Sequence, residues 1–324
     1  VYGTRAPASL NHIMISGNEL NKLKTGCSES LALDGNVDRF TVTNNLIHDN
    51  NNIGIDVAGF FGIAPDTRYD QARNGLITRN TVYNISSNGN PSYPSNCWCS
   101  DGIYVDGGFN ITIERNLIHN DDLGIEIASE NAGHVASYVT ARNNLIYFGN
   151  SSGLSIGGFS GSVGGSDHIT LMNNTLFHND GKNTGSGEFQ IQYHATNNVF
   201  KNNIVYAGSQ ALMVNDYTAS TTTPVALDYN LYFSPANAGS SNWVWQSKAY
   251  TVISNYQSVS GEDNNSHYAD PQFVNITTPD LHVAITSRAA NAGIDLGSTV
   301  VGTVDFAGNP RVQGSNIDIG AYEQ

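Results

Sequence analysis

Short apolar runs alternate with polar positions along most of the chain. An alternating run such as F-T-V-T or I-T-I-E is followed, after a turn, by two or three β-branched or aromatic residues. A third run comes after a further turn, at 53–57, 102–106, 124–128, 153–157 and 188–192. Period-two alternation in short runs bounded by Gly and Asn predicts β-strands, three to each repeat.

A recurring phrase, N-N-x-[IV]-[HY], separates the first two strands of each repeat. Its second asparagine is Asn45, Asn80, Asn116, Asn144, Asn174 and Asn203, with more divergent matches at Asn18 and Asn230. The spacing of 27 to 36 residues indicates a solenoid. Three strands per repeat with inward Ile, Val and Leu predict an all-β parallel β-helix of about eight coils. We interpret the asparagines as structural, because Asn suits tight turns and stacked amides can bond to each other.

The phrase and the G-[IL]-x-[IV] strand resemble right-handed parallel β-helix proteins related to pectate lyases, over roughly residues 11–232. The tail, with DPQFVN at 270–275 and DIGAYE at 318–323, resembles a C-terminal segment of secreted bacterial β-helix proteins. We therefore expect a parallel β-helix at 1–232. Residues 233–324 would form C-terminal coils and a capping segment of the same solenoid. Trp243, Trp245 and Tyr250 would cover the exposed edge of the last coil.

The chain is acidic, with 28 Asp and Glu against 14 Lys and Arg, a net charge of −14 and a pI of about 4.8. No basic run exists, so nucleic acid is not an expected partner. No apolar stretch is long enough for a transmembrane helix. We expect a monomer, because that is the default for a solenoid. The acidic surface also disfavours polyanionic ligands unless a cation intervenes.

The composition, low in Lys and rich in Asn, Ser, Thr and Gly, suits a secreted protein. Sequons for N-glycosylation begin at Asn84, Asn110, Asn150, Asn173, Asn264 and Asn275. The chain opens in strand-like sequence with no signal peptide. We therefore expect that the mature chain begins here or that upstream sequence was removed.

Three cysteines, Cys27, Cys97 and Cys99, are expected at the same edge of the solenoid. Cys27 and Cys99 each stand four residues before equivalent apolar positions, Leu31 and Ile103. We predict one disulfide that joins Cys27 to Cys97 or Cys99. The alternative is three free thiols.

Alignment of the third strands places their outward side chains in two columns. The first column is Ala32, Asp56, Tyr104, Glu126, Ser155 and Gln190. The second column is Asp34, Ala58, Asp106, Ala128, Gly157 and Gln192. The inward positions between them are all apolar, which supports this register.

Three acids in these columns, Asp56, Asp106 and Glu126, concentrate on three consecutive coils and are the predicted catalytic residues. At the usual strand spacing, Asp56 and Glu126 would lie about 9–10 Å apart, with Asp106 roughly 8 Å from each. Glycoside hydrolases use carboxyl separations of about 5–5.5 Å or 6.5–9.5 Å. Crowding of carboxylates also raises a pKa, as a general acid requires. The alternative is a solvated acidic face.

The longest loops, at 58–75 and 84–101, adjoin the same three coils. Long loops in an economical solenoid are usually functional, and aromatic rings beside carboxylates suit sugars. The predicted substrate-binding residues on these loops and columns are Tyr104, Arg73, Asp70, Trp98, Glu130 and Gln190.

The resemblance implies a groove for a polysaccharide or oligosaccharide along this face. The leading hypothesis is a glycoside hydrolase without a cofactor, with Glu126 as general acid and Asp56 or Asp106 as its partner. Tyr104 and Arg73 would hydrogen-bond the sugar.

Two other functions are open. In a calcium-dependent uronate lyase, Asp56, Asp106 and Glu126 would bind Ca²⁺. The proton-abstracting candidates would then be Arg73, Lys182 and Arg68. The third possibility is a non-catalytic carbohydrate-binding or adhesin module, in which the acids would keep ordinary pKa values.

Overall fold

The computed structural model describes residues 1–5, 7–218, 224–236 and 242–324. The described chain winds into a solenoid of three parallel sheets, which confirms the predicted parallel β-helix. Each coil contributes at least one strand to each sheet, and the described strands define eight coils. Within a coil the chain passes from the first sheet through the asparagine turn to the second sheet, and then through a loop to the third.

The strands of each sheet follow in coil order. The first sheet contains Leu10–Ser16, Val37–Thr43, Arg73–Thr78, Phe109–Glu114, Thr140–Arg142, Thr170–Met172, Asn198–Lys201 and Val225–Asp228, with Val135–Ser137, Gly165–Asp167 and Ala195–Thr196 beside them. The second sheet contains Glu19–Asn21, Leu46–Asn50, Thr81–Ile85, Leu117–His119, Leu145–Tyr147, Thr175–Phe177, Ile204–Tyr206, Leu231–Phe233 and His267–Tyr268. The third sheet contains Leu31–Asp34, Ile55–Ala58, Asp101–Asp106, Leu123–Ala128, Leu154–Ile156, Phe189–Ile191, Leu212–Asp216 and Asn242–Trp245, with Lys248–Tyr250 antiparallel at its end. The remaining elements are the helices Ile253–Ser260 and Ser298–Val301 and the antiparallel pair Phe273–Asn275 and Asp280–Val283.

The asparagines between the first two sheets form a continuous hydrogen-bond ladder. The Oδ1 of Asn116 accepts the backbone N–H and the side-chain amide of Asn80, both at 3.0 Å. Asn116 in turn donates both groups to Asn144. The same pattern runs from Asn18 to Asn230. The left-handed residue of each turn is the one before the ladder asparagine, such as Arg115 with φ of 57°. The ladder asparagine itself has the other role, because its side-chain oxygen accepts the backbone N–H of the ladder asparagine in the preceding coil.

Removal of one ladder amide should be costly, because the turn backbone has no other partner. We expect Asn116→Ala to lower the free energy of unfolding by at least about 2 kcal/mol, since the buried N–H of Asn80 would lose its acceptor. Urea denaturation followed by circular dichroism measures this. Asn88→Ala, at an exposed loop position, is the matched control and should leave the midpoint unchanged. Equal midpoints for the two variants would contradict a structural role for the ladder.

The core is a single apolar column inside the three sheets, with Ile, Val, Leu and Phe side chains almost wholly buried. Its register on the third sheet agrees with the sequence alignment: Ile55 pairs with Ile103, and Ile103 pairs with Ile125. The outward positions therefore stand in the predicted columns. At the C-terminal end, Trp243 and Trp245 are buried, and Tyr256 of the helix Ile253–Ser260 stacks on Trp243.

The last part of the chain, about 270–324, lies along the flank of the solenoid. The residues that precede the ladder asparagines hold it there. Arg115 Nε donates to the Phe306 carbonyl, and Asn143 Nδ2 donates to the carbonyls of Val301 and Val304. Thus the two asparagines of the repeated doublet have different tasks, since the first binds this tail and the second forms the ladder.

The cysteine prediction is wrong. The structure pairs Cys97 with Cys99, whose Cα atoms lie 5.4 Å apart, and leaves Cys27 unpaired and exposed. The strand register explains the error, because Cys27 and Cys99 belong to coils two apart. Their backbone separation of about 9–10 Å exceeds the span of roughly 4.4–6.8 Å that a disulfide bridges.

No helix among the described residues has the length and apolarity needed to cross a membrane.

Candidate functional site

The outward face of the third sheet forms the floor of a cleft of about 510 Å³. The loop 86–100 forms one wall, with Tyr93 and Trp98. Loops that leave the third sheet form the other, with Glu130, Phe159 and Tyr217. The floor contains Asp101, Tyr104, Leu123, Glu126, Gln190 and Gln192.

The strand pairing places the three predicted acids in the two outward columns that the sequence alignment predicted. Asp56 pairs with Tyr104, Tyr104 pairs with Glu126, and Asp106 pairs with Ala128. Asp56 and Glu126 are therefore two strands apart with Tyr104 between them, or about 9–10 Å at the backbone.

Two of these acids, Asp56 and Asp106, are buried and do not line the cleft. Asp106 accepts the backbone N–H of Glu130 at 2.7 Å, while Asp56 Oδ1 has no hydrogen-bond partner in the structure. Burial raises the pKa of Asp106 to about 8, against the lowering effect of that hydrogen bond. Burial, and then the charge of Asp106, raise the pKa of Asp56 well above its usual value. Both groups therefore resist ionisation near neutral pH.

A further acid at the site, Asp101, was not among the three predicted catalytic residues. Its carboxyl group is paired with that of Glu126 on the cleft floor, where each affects the pKa of the other. Burial, and then the charge of Glu126, raise the pKa of Asp101 well above its usual value. Burial, and then the charge of Glu130, raise the pKa of Glu126 to about 7. We call Asp101 and Glu126 the acid pair.

The acid pair is asymmetric because only Glu126 has an amide donor. Gln192 Nε2 donates to Glu126 Oε1 at 2.9 Å and also to Ser155 Oγ. The side-chain oxygen of Gln192, Oε1, accepts a hydrogen bond from the Tyr217 hydroxyl at 3.4 Å. A donor stabilises the ionised form, whereas the buried Asp101 Oδ1 has no hydrogen-bond partner. The proton that the pair retains is therefore favoured on Asp101.

The aromatic side chains near the acids differ in environment. Tyr104 is buried between them, and burial raises its pKa well above 10, so its hydroxyl stays protonated. Trp98 lines the opposite wall, and the Lys182 ammonium lies 4.8 Å from the centre of its ring.

Two predicted substrate-binding residues lie elsewhere. The Arg73 guanidinium donates to Asn36 Oδ1 and to a backbone carbonyl on the first-sheet side, and it does not line the cleft. Asp70 is buried and accepts the N–H groups of Gly62 and Ala64 at 2.6 and 2.8 Å, which organises the loop after the second coil. The other four, Tyr104, Trp98, Glu130 and Gln190, line the cleft.

Two of the three predicted calcium ligands, Glu126 and Asp106, already accept hydrogen bonds. Among residues 1–5, 7–218, 224–236 and 242–324, no group of three or more His, Cys, Asp and Glu side chains is arranged to hold a metal ion. A calcium ion takes six to eight oxygen ligands. The three predicted ligands thus do not form a ready calcium site.

A second groove, of about 670 Å³, lies on the other side of the loop wall, between the turns at 148–150, 178–182 and 208–210. The acid that lines it, Asp180, accepts N–H groups of its own loop, including those of Thr184 and Gly187. This carboxylate is thus committed to loop structure, and the candidate site remains the acid-lined cleft.

A family model described as "Right handed beta helix region" matches residues 68–256, more than half of the chain. The chain belongs to this right-handed β-helix family. It is 38% identical over 260 residues to the uncharacterized protein YwoF of Bacillus subtilis (strain 168). That match covers 80% of this chain but 54% of YwoF, so the chain spans about half the length of this relative.

The chain is also similar to solved structures. Pectate lyase Pel9A superposes with a TM-score of 0.56 at 13% identity, over 97% of this chain and 73% of Pel9A. A complex of XylC with xylose gives a TM-score of 0.44 at 14% identity, over 87% of this chain and 50% of XylC. The likeness to Pel9A, at 13% identity, concerns the fold alone, and the chemistry has to be argued from the site itself.

Proposed function

We propose that this β-helix protein is a secreted glycoside hydrolase and that the acid pair supplies the proton to the departing sugar oxygen. The observation that carries the proposal is the pairing of the Asp101 and Glu126 carboxyl groups at the floor of an aromatic-lined cleft. A general acid must still hold a proton near neutral pH, and a pair with raised pKa values does so.

Glu130 is the second carboxylate of the proposal. It is exposed at the rim of the same cleft, and its backbone N–H is fixed by Asp106. Partial desolvation by the neighbouring cleft wall, and then the charge of Glu29, raise its pKa above the usual value, although the side chain remains accessible to solvent. One acid that keeps its proton and a second that loses it more readily are what glycosidic cleavage needs. Glu130 would act as base or nucleophile.

The runner-up is a uronate lyase. Lys182, which lies on the Trp98 ring at the edge of the cleft, is the candidate base whose position favours it. Arg68 instead pairs with Asp66 at 2.6 Å on an exposed loop. The acidic cleft makes a polyuronate a poor ligand unless calcium is present.

An activity screen distinguishes these functions. Neutral glucans, galactans, xylans and polyuronates would be assayed for new reducing ends and for the ultraviolet absorbance of unsaturated uronates, with and without EDTA. We expect reducing ends without absorbance, insensitive to EDTA, and a loss of about 10²–10⁴-fold in Glu126→Gln. Glu19→Gln, which changes an exposed acid on the second sheet, is the control.

The opposite results have clear meanings. Absorbance that EDTA abolishes would replace the hydrolase by the calcium-dependent lyase. Equal activity of Glu126→Gln and wild type would remove the acid pair from the mechanism. Binding of a glycan without turnover would favour a non-catalytic module.

A further inference from the structure

The wall of the cleft opposite Trp98 carries a row of aromatic rings. Phe159 follows the third-sheet strand of the fifth coil, Tyr193 that of the sixth, and Tyr217 that of the seventh. Phe159 and Tyr217 line the cleft, and Tyr193 contacts Tyr217 edge-on with 5.8 Å between ring centres. One ring per coil gives a row along the solenoid axis, and we call these three residues the aromatic rim.

Two of the three rings in the aromatic rim are exposed to solvent, and Tyr217 is half-buried. Phe159 exposes 59% of its surface and Tyr193 exposes 39%. A single exposed ring needs no explanation, but adjoining exposed rings along a cleft are typical of a binding surface. The loop of Phe159 is also held in place, because His194 Nε2 contacts the Gly161 carbonyl at 3.1 Å and Tyr193 packs beside Gly161.

The floor beside the aromatic rim differs from the floor beneath the acids. In coils five and six, Ser155 and Gln190 occupy the first outward column, where coils two to four have Asp56, Tyr104 and Glu126. Hydroxyl and amide groups can both donate and accept hydrogen bonds without a net charge. The cleft therefore has an acidic part and, toward the C-terminal coils, an uncharged aromatic part.

We propose that the aromatic rim and Gln190 form a binding subsite for uncharged sugar units of a glycan chain that lies along the solenoid axis. The inference rests on the proposed function, because it places the bond to be cleaved over the acid pair. Sugar rings present apolar faces that pack on aromatic rings, while their hydroxyls bond to amides. The charged side chains that line the cleft, Glu126, Asp101 and Glu130, are acids, which disfavours a uronate here.

The subsite is also connected to the acid pair. The Tyr217 hydroxyl donates to the Gln192 carbonyl, and the Gln192 amide donates to Glu126. A sugar seated on Tyr217 would thus contact a residue whose hydrogen bonds fix the orientation of the proton-sharing carboxyls. A chain that reaches the aromatic rim is therefore expected to be a better substrate than a shorter one.

The test measures binding and turnover separately. Calorimetry on the Glu126→Gln background would follow gluco-, galacto- and xylo-oligosaccharides of increasing length, with oligogalacturonates for comparison. Phe159→Ala should weaken the binding of the longer neutral chains about three- to tenfold and leave the shortest unchanged. In the active enzyme, the same change should lower kcat/KM only for the longer chains. Phe61→Ala is the matched control, because Phe61 is 49% exposed but does not line this cleft.

The outcomes separate this inference from the catalytic proposal. Length-dependent binding that Phe159→Ala weakens, without hydrolysis of any glycan, would support the subsite and overturn the hydrolase. Hydrolysis that Phe159→Ala does not affect at any chain length would overturn the subsite alone. A lack of binding by every neutral oligosaccharide, or preferential binding of the uronates, would also overturn it.

Discussion

Replacement of Asp101 by asparagine is expected to lower kcat/KM on the glycan substrate by about 10²–10⁴-fold. The amide introduced at this position would still be able to donate a hydrogen bond to Glu126, so the geometry of the floor should persist. What the substitution removes is one carboxyl group of the acid pair, whose pKa is raised by burial and by the charge of Glu126. The loss would therefore report proton storage and not a collapse of the site.

The pH profile gives the sign of the effect. In the wild type, activity should rise with pH as Glu130 ionises and should fall only when the acid pair loses its last proton. The pKa of Glu126 is about 7, and Asp101 is favoured to keep the shared proton because only Glu126 has an amide donor, so the alkaline limb should lie above that value. In Asp101→Asn only Glu126 can hold it, so we expect the alkaline limb to move to lower pH. The profile of kcat/KM measures this shift.

Asp49→Asn is the matched control, since Asp49 is an exposed acid on the second sheet that contacts His48 and Asn84. It should leave both the rate and the profile unchanged. An unchanged alkaline limb in Asp101→Asn would assign the proton to another group, with the buried Asp106 as the next candidate.

The second large effect concerns Arg311, a buried arginine in the C-terminal tail. Its guanidinium donates to the carbonyls of Asp318 and Gly320 at 2.7 and 3.0 Å and lies 3.3 Å from the Glu323 carboxylate. Arg311→Met would leave the buried Glu323 carboxylate without its cationic partner, whereas the two carbonyls would keep the Asn173 side-chain amide as a donor. We expect the free energy of opening of the tail to fall by about 3–5 kcal/mol. Amide hydrogen exchange of residues 289–323 measures it.

Two controls identify the cause. Arg311→Met combined with Glu323→Leu should recover part of the loss, because the unpaired carboxyl is also removed. Arg68→Met, which breaks an exposed pair with Asp66, should have no measurable effect. Tail exchange that stays at the wild-type rate in Arg311→Met would show that the flank contacts, such as those of Asn143, suffice.

The columns of the third sheet could be predicted from the sequence because strand periodicity and coil length together fix them. The periodicity places Asp56, Tyr104 and Glu126 on neighbouring strands, and the pairing is as predicted. A side chain that leaves a strand at a corner does not obey this rule. Asp101 has the same parity as the inward Ile103, yet Gly102 faces the interior and Asp101 faces the cleft.

A signal for Asp101 was nevertheless present. The residue before the repeated glycine is Ile53 in the second coil and Leu123 in the fourth, and both line the cleft. The same column on the third coil contains Asp101. The contact between Asp101 and Glu126 itself depends on side-chain rotamers, which strand periodicity does not determine. Arg73 was predicted to bind substrate because it lies close in sequence to a cleft loop. Its guanidinium instead contacts Asn36 and does not line the cleft.

The asparagine ladder bears on how such a protein can change its length. Each ladder residue satisfies its neighbour with the same two hydrogen bonds, so duplication of a whole coil would leave no amide without a partner. Duplication of the fifth coil would add one ring to the aromatic rim. The acid pair on the third and fourth coils would stay in place. Gene duplication could in this way tune the length of glycan that is bound, independently of the chemistry, provided that the tail on the flank lengthens as well.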